Sequence, residues 1–132
     1  MKNKSERHRQ GMETRRRVLG TAHVDQAERS KSSFDEPFQD LITEAAWGSV
    51  WSRSDWQPRD RSIVTIALLA ALGHEEELAM HIRATVNTGA SREDVREALL
   101  HVAIYAGVPA ANSAIKIAKN IFDEADGEGT GS

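Results

Sequence analysis

The chain has 132 residues, of which 39% are hydrophobic and 28% charged, and its formal net charge is −3. This length suits one folded domain with a single core. Cysteine is absent, which excludes disulfides, thiolate metal sites and cysteine nucleophiles. No apolar run approaches the roughly 20 residues that span a bilayer, and no signal-peptide pattern opens the chain. We therefore expect a soluble cytoplasmic protein with no membrane partner.

The charge is unevenly distributed along the chain. Residues 1–20 carry seven basic and two acidic side chains, whereas residues 21–132 carry ten basic and eighteen acidic ones. The cluster Arg15-Arg16-Arg17 could contact phosphate, but the acidic remainder favours a solvated helix face or a contact with the acidic surface of a neighbouring subunit. We expect no nucleic-acid partner.

The first third of the sequence predicts two helices and a loop. Residues 1–18 are polar and permissive for a helix, and residues 21–34 are predicted as a loop. Asp35 is a candidate N-cap for a second helix that runs to about Trp51. The apolar face of that helix consists of Phe38, Leu41, Ile42, Ala45 and Ala46. Residues 1–34 are thus predicted to form an N-terminal helical arm and loop.

Four further helices follow from start and stop signals. They begin near Arg59, His74, Ser91 and Pro109. The first of them is apolar on almost every side between residues 63 and 72, which predicts a position in the centre of the core. No segment alternates as a strand does, so the fold is predicted to be all-α with about six helices. The main helical domain is predicted over residues 35–125, and residues 126–132 form a predicted disordered tail.

Three tryptophans indicate association between chains. Trp47, Trp51 and Trp56 are predicted on exposed stripes of short helices. Together they form more large aromatic surface than a small monomer easily covers. The sequence therefore predicts a homo-oligomer.

Glu77 and His81 form the sharpest local signal for chemistry. They are four residues apart on a predicted helix, so their side chains project from one face. A carboxylate that accepts one imidazole N–H fixes the tautomer of the ring and leaves the other nitrogen to exchange a proton. The alternative is an ordinary contact on a surface helix.

Other polar residues have both structural and functional interpretations. His74 lies two turns before His81, but the spacing matches no trusted metal motif, so no metal site is predicted. His101 and Tyr105 are four residues apart in an apolar setting, which suits a buried histidine or a hydrogen-bond donor at a pocket wall. Arg61 and Arg83 could bind carboxylates, or form surface salt bridges.

Several segments resemble the carboxymuconolactone decarboxylase family. The matching segments are Asp60-Arg61-Ser62, residues 75–84, Asn87-Thr88-Gly89 and residues 97–112. The N-terminal segments Gly11-Met12, Arg15-Arg16, Val18-Leu19-Gly20 and Ala22-His23-Val24-Asp25 also look like those of the decarboxylases in the family. The resemblance covers about residues 10–123.

The resemblance implies an alkylhydroperoxidase-like helical fold and a homo-oligomer of trimer or hexamer type. Related alkylhydroperoxidases use a Cys-x-x-Cys pair, whose positions correspond to His74 and Glu77 here, so the thiol mechanism does not apply. For the decarboxylases, the resemblance implies a substrate with two carboxylates on an unsaturated lactone, in the breakdown of aromatic acids. The products would be CO2 and the enol-lactone of 3-oxoadipate, and no cofactor is required.

The resemblance also suggests roles for six residues. His81 would carry the proton and Glu77 would orient it, while Arg61 or Arg83 would hold a carboxylate. His101 or His23 would polarise the lactone carbonyl. Two other functions stay open: a non-catalytic subunit that binds a small acid, and an oxidoreductase of the same family that uses a different cofactor.

Overall fold

The structure, a computed structural model, describes the backbone of residues 4–130 and the side chains of residues 4–127. Every regular element in that range is helical, which confirms the all-α prediction, but there are eight α-helices rather than about six. In chain order the elements are α1 (Glu6–Leu19), α2 (Thr21–Ser30), α3 (Glu36–Ile42), a π-helical segment (Thr43–Trp51), α4 (Pro58–Leu72), α5 (Glu75–Arg83), α6 (Thr85–Thr88), α7 (Arg92–Tyr105) and α8 (Val108–Thr130).

The additional helices arise at two positions. The predicted loop over residues 21–34 contains α2, which begins directly after Gly20, a residue with φ of +94°. One fully buried side chain, Val24, and the ion pair between Arg16 and Asp25 at 2.6 Å hold α2 against its neighbours. With only one buried apolar side chain, α2 has no repeating apolar pattern from which the sequence could predict a helix. Farther along, the predicted fourth helix is divided at Ala84 into α5 and α6.

The chain folds as two compact units, Met1–Pro58 and Arg59–Ser132. In the first unit, α1 packs along the π-helical segment at two glycines. A Cβ atom on Gly11 would collide with the carbonyl oxygen of Thr43, and one on Gly48 would lie 2.6 Å from the carbonyl oxygen of Arg7. The two backbones are therefore in direct contact, and α1 and α2, which the sequence assigns to an arm, are part of this unit.

The side chains of the first unit correct one prediction about exposed aromatic residues. Trp47 is buried, and its ring lies 5.2 Å from the ring of the half-buried Trp51. Of the three tryptophans, only Trp56 is substantially exposed. The π-helical segment turns Trp47 inward, whereas Phe38 and Leu41 on the predicted apolar face of α3 are more than half exposed. The exposed apolar surface near α3 is thus formed by phenylalanine and leucine side chains.

The second unit has an aliphatic core. It is formed by Ile66, Ala70, Leu78, Ile82, Val95, Leu99, Val102, Ala111, Ala114, Ala118 and Ile121. Helix α4 contributes only one face to it, because Val64, Leu68 and Leu72 are exposed. The prediction that α4 lies in the centre of the core is therefore correct for one side of the helix only.

Helix α8 continues through most of the predicted disordered tail, as far as Thr130. The carboxylate of Asp126 accepts two hydrogen bonds from the guanidinium of Arg92, at 2.7 and 3.0 Å, and that guanidinium lies 4.7 Å from the ring centroid of Phe122. These contacts connect the end of α8 to the start of α7. Residues 131–132 lie outside the described residues. Within the described part of the chain, no helix is long and apolar enough to cross a membrane.

Candidate active site

Helix α5 carries the predicted acid–base pair. It begins after His74 with three glutamates in its first turn, where negative charge interacts favourably with the helix dipole. Glu77 is exposed, whereas His81, one turn later, is only 7% exposed. The helix therefore places a buried imidazole and an exposed carboxylate on neighbouring positions of one face.

The environment of His81 is set by the core of the second unit. Leu78 and Ile82, on either side of it in the sequence, are fully buried core residues. The Nδ1 atom of His81 has almost no solvent exposure. Bulk water therefore has little access to this ring nitrogen.

Arg61 is the predicted carboxylate-binding residue that comes nearest to burial. It lies in the first half of α4, is half-buried, and its Nε atom has almost no exposure. Ser62, the next residue, is completely buried. The start of α4 thus brings a guanidinium into a partly desolvated position in the same unit as His81, where its attraction for a carboxylate is strengthened.

Arg83 lies on a different side of α5 from the predicted pair. It follows His81 by two positions, about 200° around a helix with 3.6 residues per turn. Its Nη2 atom is 3.7 Å from Oε2 of Glu124 on α8, and it lines a cleft of about 460 Å³ between α5, α6 and α8. Neither Glu77 nor His81 lines that cleft.

The two remaining predicted histidines are exposed. His101 lies near the end of α7, and its ring stacks on Tyr105 with 6.2 Å between the ring centroids. The sequence predicted an apolar environment for it, but Ile104 and Tyr105 are themselves exposed. His23 lies on the surface of α2, in the first unit. The structure therefore places Glu77 and His81 one turn apart on α5, and the ring contact that it gives His101 is with Tyr105.

Arg59 has a structural role that the sequence left open. Its guanidinium donates hydrogen bonds of 2.9 and 2.7 Å to the two carboxylate oxygens of Asp94, at the start of α7. This contact lowers the pKa of Asp94, with further help from hydrogen bonds to Ser91. Asp94 also forms a capping box with Ser91 at the start of α7, where the sequence predicted that a helix begins. Arg59 thus joins the start of α4 to the start of α7.

Sequence reasoning missed the polar groups that only tertiary packing brings together. In the first unit, Arg15 is 6% exposed, and burial lowers its pKa. In the second unit, Arg92 and Phe122 are in contact although thirty positions separate them. No local spacing could have indicated either. Among the residues that the structure describes, no group of three or more histidine, aspartate or glutamate side chains could hold a metal ion.

Comparisons with known proteins place the chain in a family. The model of the carboxymuconolactone decarboxylase family matches residues 36–120. The chain is 43% identical to 4-carboxymuconolactone decarboxylase from Acinetobacter baylyi, over 92% of this chain and 91% of that protein. It is 36% identical to nitrosuccinic acid decarboxylase from Metarhizium robertsii, over 87% of this chain and 80% of that protein. The chain belongs to the carboxymuconolactone decarboxylase family.

Proposed function

We propose that this protein decarboxylates 4-carboxymuconolactone to the enol-lactone of 3-oxoadipate and CO2, a step in the breakdown of aromatic acids. The observation that carries the proposal is the 43% identity to the Acinetobacter enzyme over 92% of the chain. That similarity extends beyond the region of residues 36–120 matched by the family model. It therefore includes much of the first unit as well as the helix that carries His81.

The reaction needs no electron sink from the protein. When the carboxylate leaves as CO2, the electron pair of the broken C–C bond passes through the ring double bond to the lactone carbonyl, which forms an oxyfuran-like anion. A proton added to ring carbon then restores the lactone carbonyl. The protein has three tasks: to stabilise the developing oxyanion, to bind the carboxylate that remains, and to deliver one proton.

His81 is the proposed proton carrier, and Glu77 is the proposed orienting group. The burial of His81 among core residues of the second unit supports this role, because proton exchange with solvent is restricted there. Glu77 is exposed on the same helical face. In this proposal its carboxylate accepts one imidazole N–H and lies on the side of the ring away from the dianionic substrate, where charge repulsion is smallest.

Arg61 is proposed to hold the carboxylate that remains on the substrate. Of the two arginines predicted for this task, Arg83 projects about 200° around α5 from His81, away from a substrate bound at that imidazole. Arg61 is half-buried in the same unit. The group that polarises the lactone carbonyl is His101 or His23, and single alanine substitutions of these two histidines distinguish them by their effect on kcat.

The active form is proposed to be a homo-oligomer, a trimer or a hexamer. The exposed aliphatic stripe Val64, Leu68 and Leu72 on α4 supports association, because burying it between chains removes apolar surface from water. Static light scattering of the full chain tests this proposal. Only a monomer of 14.6 kDa at micromolar concentration would contradict it.

Loss of the ultraviolet absorbance of the unsaturated lactone tests the proposed reaction. Purified protein treated with a chelator, without added flavin or nicotinamide, is expected to turn the substrate over and release CO2 in equal amount. Binding without turnover would instead indicate a small-acid-binding subunit. Turnover only after a redox cofactor is added would indicate an oxidoreductase of this family.

A parallel assay with nitrosuccinic acid tests the choice of substrate. The chain is 36% identical to a nitrosuccinic acid decarboxylase, so this acid is the most informative competitor. We expect a higher kcat/KM for the lactone, because identity to the lactone decarboxylase is greater. A higher kcat/KM for nitrosuccinic acid would show that the proposed substrate is wrong, although the protein would still be a decarboxylase.

A further inference from the structure

The cleft at Arg83 in the second unit has the chemistry of a binding site. It lies between α5, α6 and α8, has a volume of about 460 Å³, and has a floor formed by Ile82, Ile121 and Phe122. Arg83 and Glu124 lie at its edge. A cleft of this volume that combines an apolar floor with polar and charged groups at its walls can hold a small organic molecule and orient it.

The cleft and the proposed catalytic pair lie on different sides of α5. Ile82 and Arg83 face the cleft, whereas His81 and Glu77 precede Arg83 by two and six positions. At 100° per residue, both side chains point well away from Arg83. A molecule in the cleft therefore does not occupy the place of a substrate that His81 protonates.

Two arginines near the cleft differ in how firmly they are bound. Arg92 is fixed by its two hydrogen bonds to Asp126 and by its contact with the Phe122 ring. Among the described side chains, Arg83 has only an ion pair with Glu124 at 3.7 Å, which is longer than a hydrogen bond, and both side chains are about 60% exposed. Exposed pairs of this kind contribute little, so a ligand can replace Glu124 at small cost.

The charges at the cleft also restrict the ligand. Two guanidinium groups, Arg83 and Arg92, are balanced by two carboxylates, Glu124 and Asp126. A single carboxylate can exchange with Glu124 on Arg83, and a guanidinium matches its planar geometry. The described residues that line the cleft include no third cation, so a second negative charge on the ligand would face the remaining carboxylates.

We propose that this cleft binds a small monocarboxylic acid with a compact apolar or aromatic body. The carboxylate accepts hydrogen bonds from the Arg83 guanidinium, and the body lies on Ile121 and Phe122. This proposal is independent of the decarboxylation proposed above, because it concerns a different face of α5 and a ligand with one carboxylate.

The proposal is tested by titrating the full chain with benzoate, with binding measured by isothermal titration calorimetry and by 15N–1H NMR. We expect shifts of the amides of α6 and of the C-terminal half of α8. Benzamide, the neutral isostere, and phthalate, a dianion, are expected to bind at least about tenfold more weakly, since a charged hydrogen bond is lost or repulsion is added. Equal binding of benzamide or phthalate would overturn the proposal.

Substitutions with matched controls locate the site. Arg83→Gln is expected to weaken benzoate binding at least about tenfold, and Glu124→Gln to strengthen it severalfold, because a competitor for Arg83 is removed. The exposed pair of Arg96 and Glu97 on α7 does not line the cleft. Arg96→Gln and Glu97→Gln should therefore leave the affinity unchanged.

Two outcomes would overturn the site. One is a benzoate affinity that Arg83→Gln and Glu124→Gln leave unchanged while circular dichroism shows both variants folded. The other is the absence of benzoate binding. If Arg83→Gln then also changes the sedimentation coefficient, the cleft is a contact between subunits instead.

Discussion

The two compact units reach stability by different routes. In the first, α1 and the π-helical segment meet backbone to backbone at Gly11 and Gly48. Both units also bury polar or charged side chains, which are His8, Thr14, Arg15 and Thr43 in the first and Ser62, His81, Thr85 and Thr88 in the second. In the second, the core consists almost wholly of alanine, valine, leucine and isoleucine from α4, α5, α7 and α8.

This difference shows what each unit tolerates. A contact between backbones cannot accept an added atom unless a helix moves. In an aliphatic core, truncating a side chain lowers the free energy of unfolding in proportion to the apolar area and volume removed. His81 is the one titratable side chain among the buried residues described in the second unit. We therefore expect added atoms in the first unit to have the largest effect on the free energy of unfolding. Substitutions in the second unit should have the largest effect on turnover.

The largest expected effect is on turnover, from His81→Ala. General acid–base groups contribute about 10²–10⁴-fold in rate, and we expect a loss of kcat in that range in the lactone assay. The exposed His74, at the start of the same helix, is the matched control. His74→Ala should change kcat by less than about threefold. A similarly small change for His81→Ala, with helix content intact, would remove His81 from the mechanism.

The next largest effect tests the contact between backbones in the first unit. Gly11→Ala adds a Cβ atom that would collide with the Thr43 carbonyl and lie 2.9 Å from the Gly48 amide nitrogen. We expect the free energy of unfolding to fall by about 2–3 kcal/mol or more, measured by urea denaturation, because overpacking a close contact forces the helices apart.

Gly127→Ala is the control for that substitution. Gly127 lies in α8, and a Cβ atom added there would meet nothing within 4 Å. Replacing an exposed helical glycine by alanine should stabilise the protein by up to about 1 kcal/mol. Equal small effects of both substitutions would show that the α1 contact adjusts freely, and the proposed difference between the units would then disappear.

The same difference explains which elements the sequence could predict. The stripe Val95, Ala98, Leu99 and Val102 of α7 is buried, and the capping box at Ser91 is present. Both are local signals, with a period or a fixed spacing. In α2, by contrast, only Val24 is buried, and its partners come from elsewhere in the chain. The π-helical segment likewise packs against α1, a contact that no local pattern encodes.

The candidate site shows the same limit. Spacing alone was enough to place Glu77 and His81 on one face of α5. It could not reveal that Arg83 faces Glu124 on α8, forty-one positions later, or that His101 is exposed. Both facts depend on how the helices pack. An arginine or histidine that is close in sequence to Glu77 and His81 therefore need not lie near them in the fold.

Glu77→Gln should have a smaller effect than His81→Ala. The amide keeps the size of the side chain and can still accept a hydrogen bond, but it no longer provides the charge that stabilises an imidazolium. We expect kcat to fall about tenfold, with little change in KM, in the lactone assay. The neighbouring Glu76→Gln, on the exposed first turn of α5, is the control and should be silent. A loss greater than that of His81→Ala would make Glu77 the principal proton carrier.

The smallest expected effect concerns the ion pair that joins α4 to α7 in the second unit. Hydrogen bonds from Arg59 lower the pKa of Asp94 from its ordinary value of 3.8, so the ionised carboxylate is favoured in the folded state. A lowered pKa stabilises the fold at pH values above 3.8, and this stabilisation is lost as the pH falls through the folded-state pKa. Asp94→Asn should therefore lower Tm at pH 7 by about 1–3 °C, since exposed pairs contribute little.

The acid dependence of that small difference identifies its cause. Protonation removes the charge of Asp94 in the wild-type protein, so the Tm values of the wild type and Asp94→Asn should converge in differential scanning calorimetry between pH 4 and strongly acidic conditions. Glu93→Gln removes a charge from the same first turn of α7 and leaves the Arg59–Asp94 contact intact. Its Tm difference therefore measures the helix-dipole contribution alone. If Asp94→Asn and Glu93→Gln lower Tm equally at pH 7, the ion pair adds nothing beyond that contribution, and the aliphatic core alone holds α4 against α7.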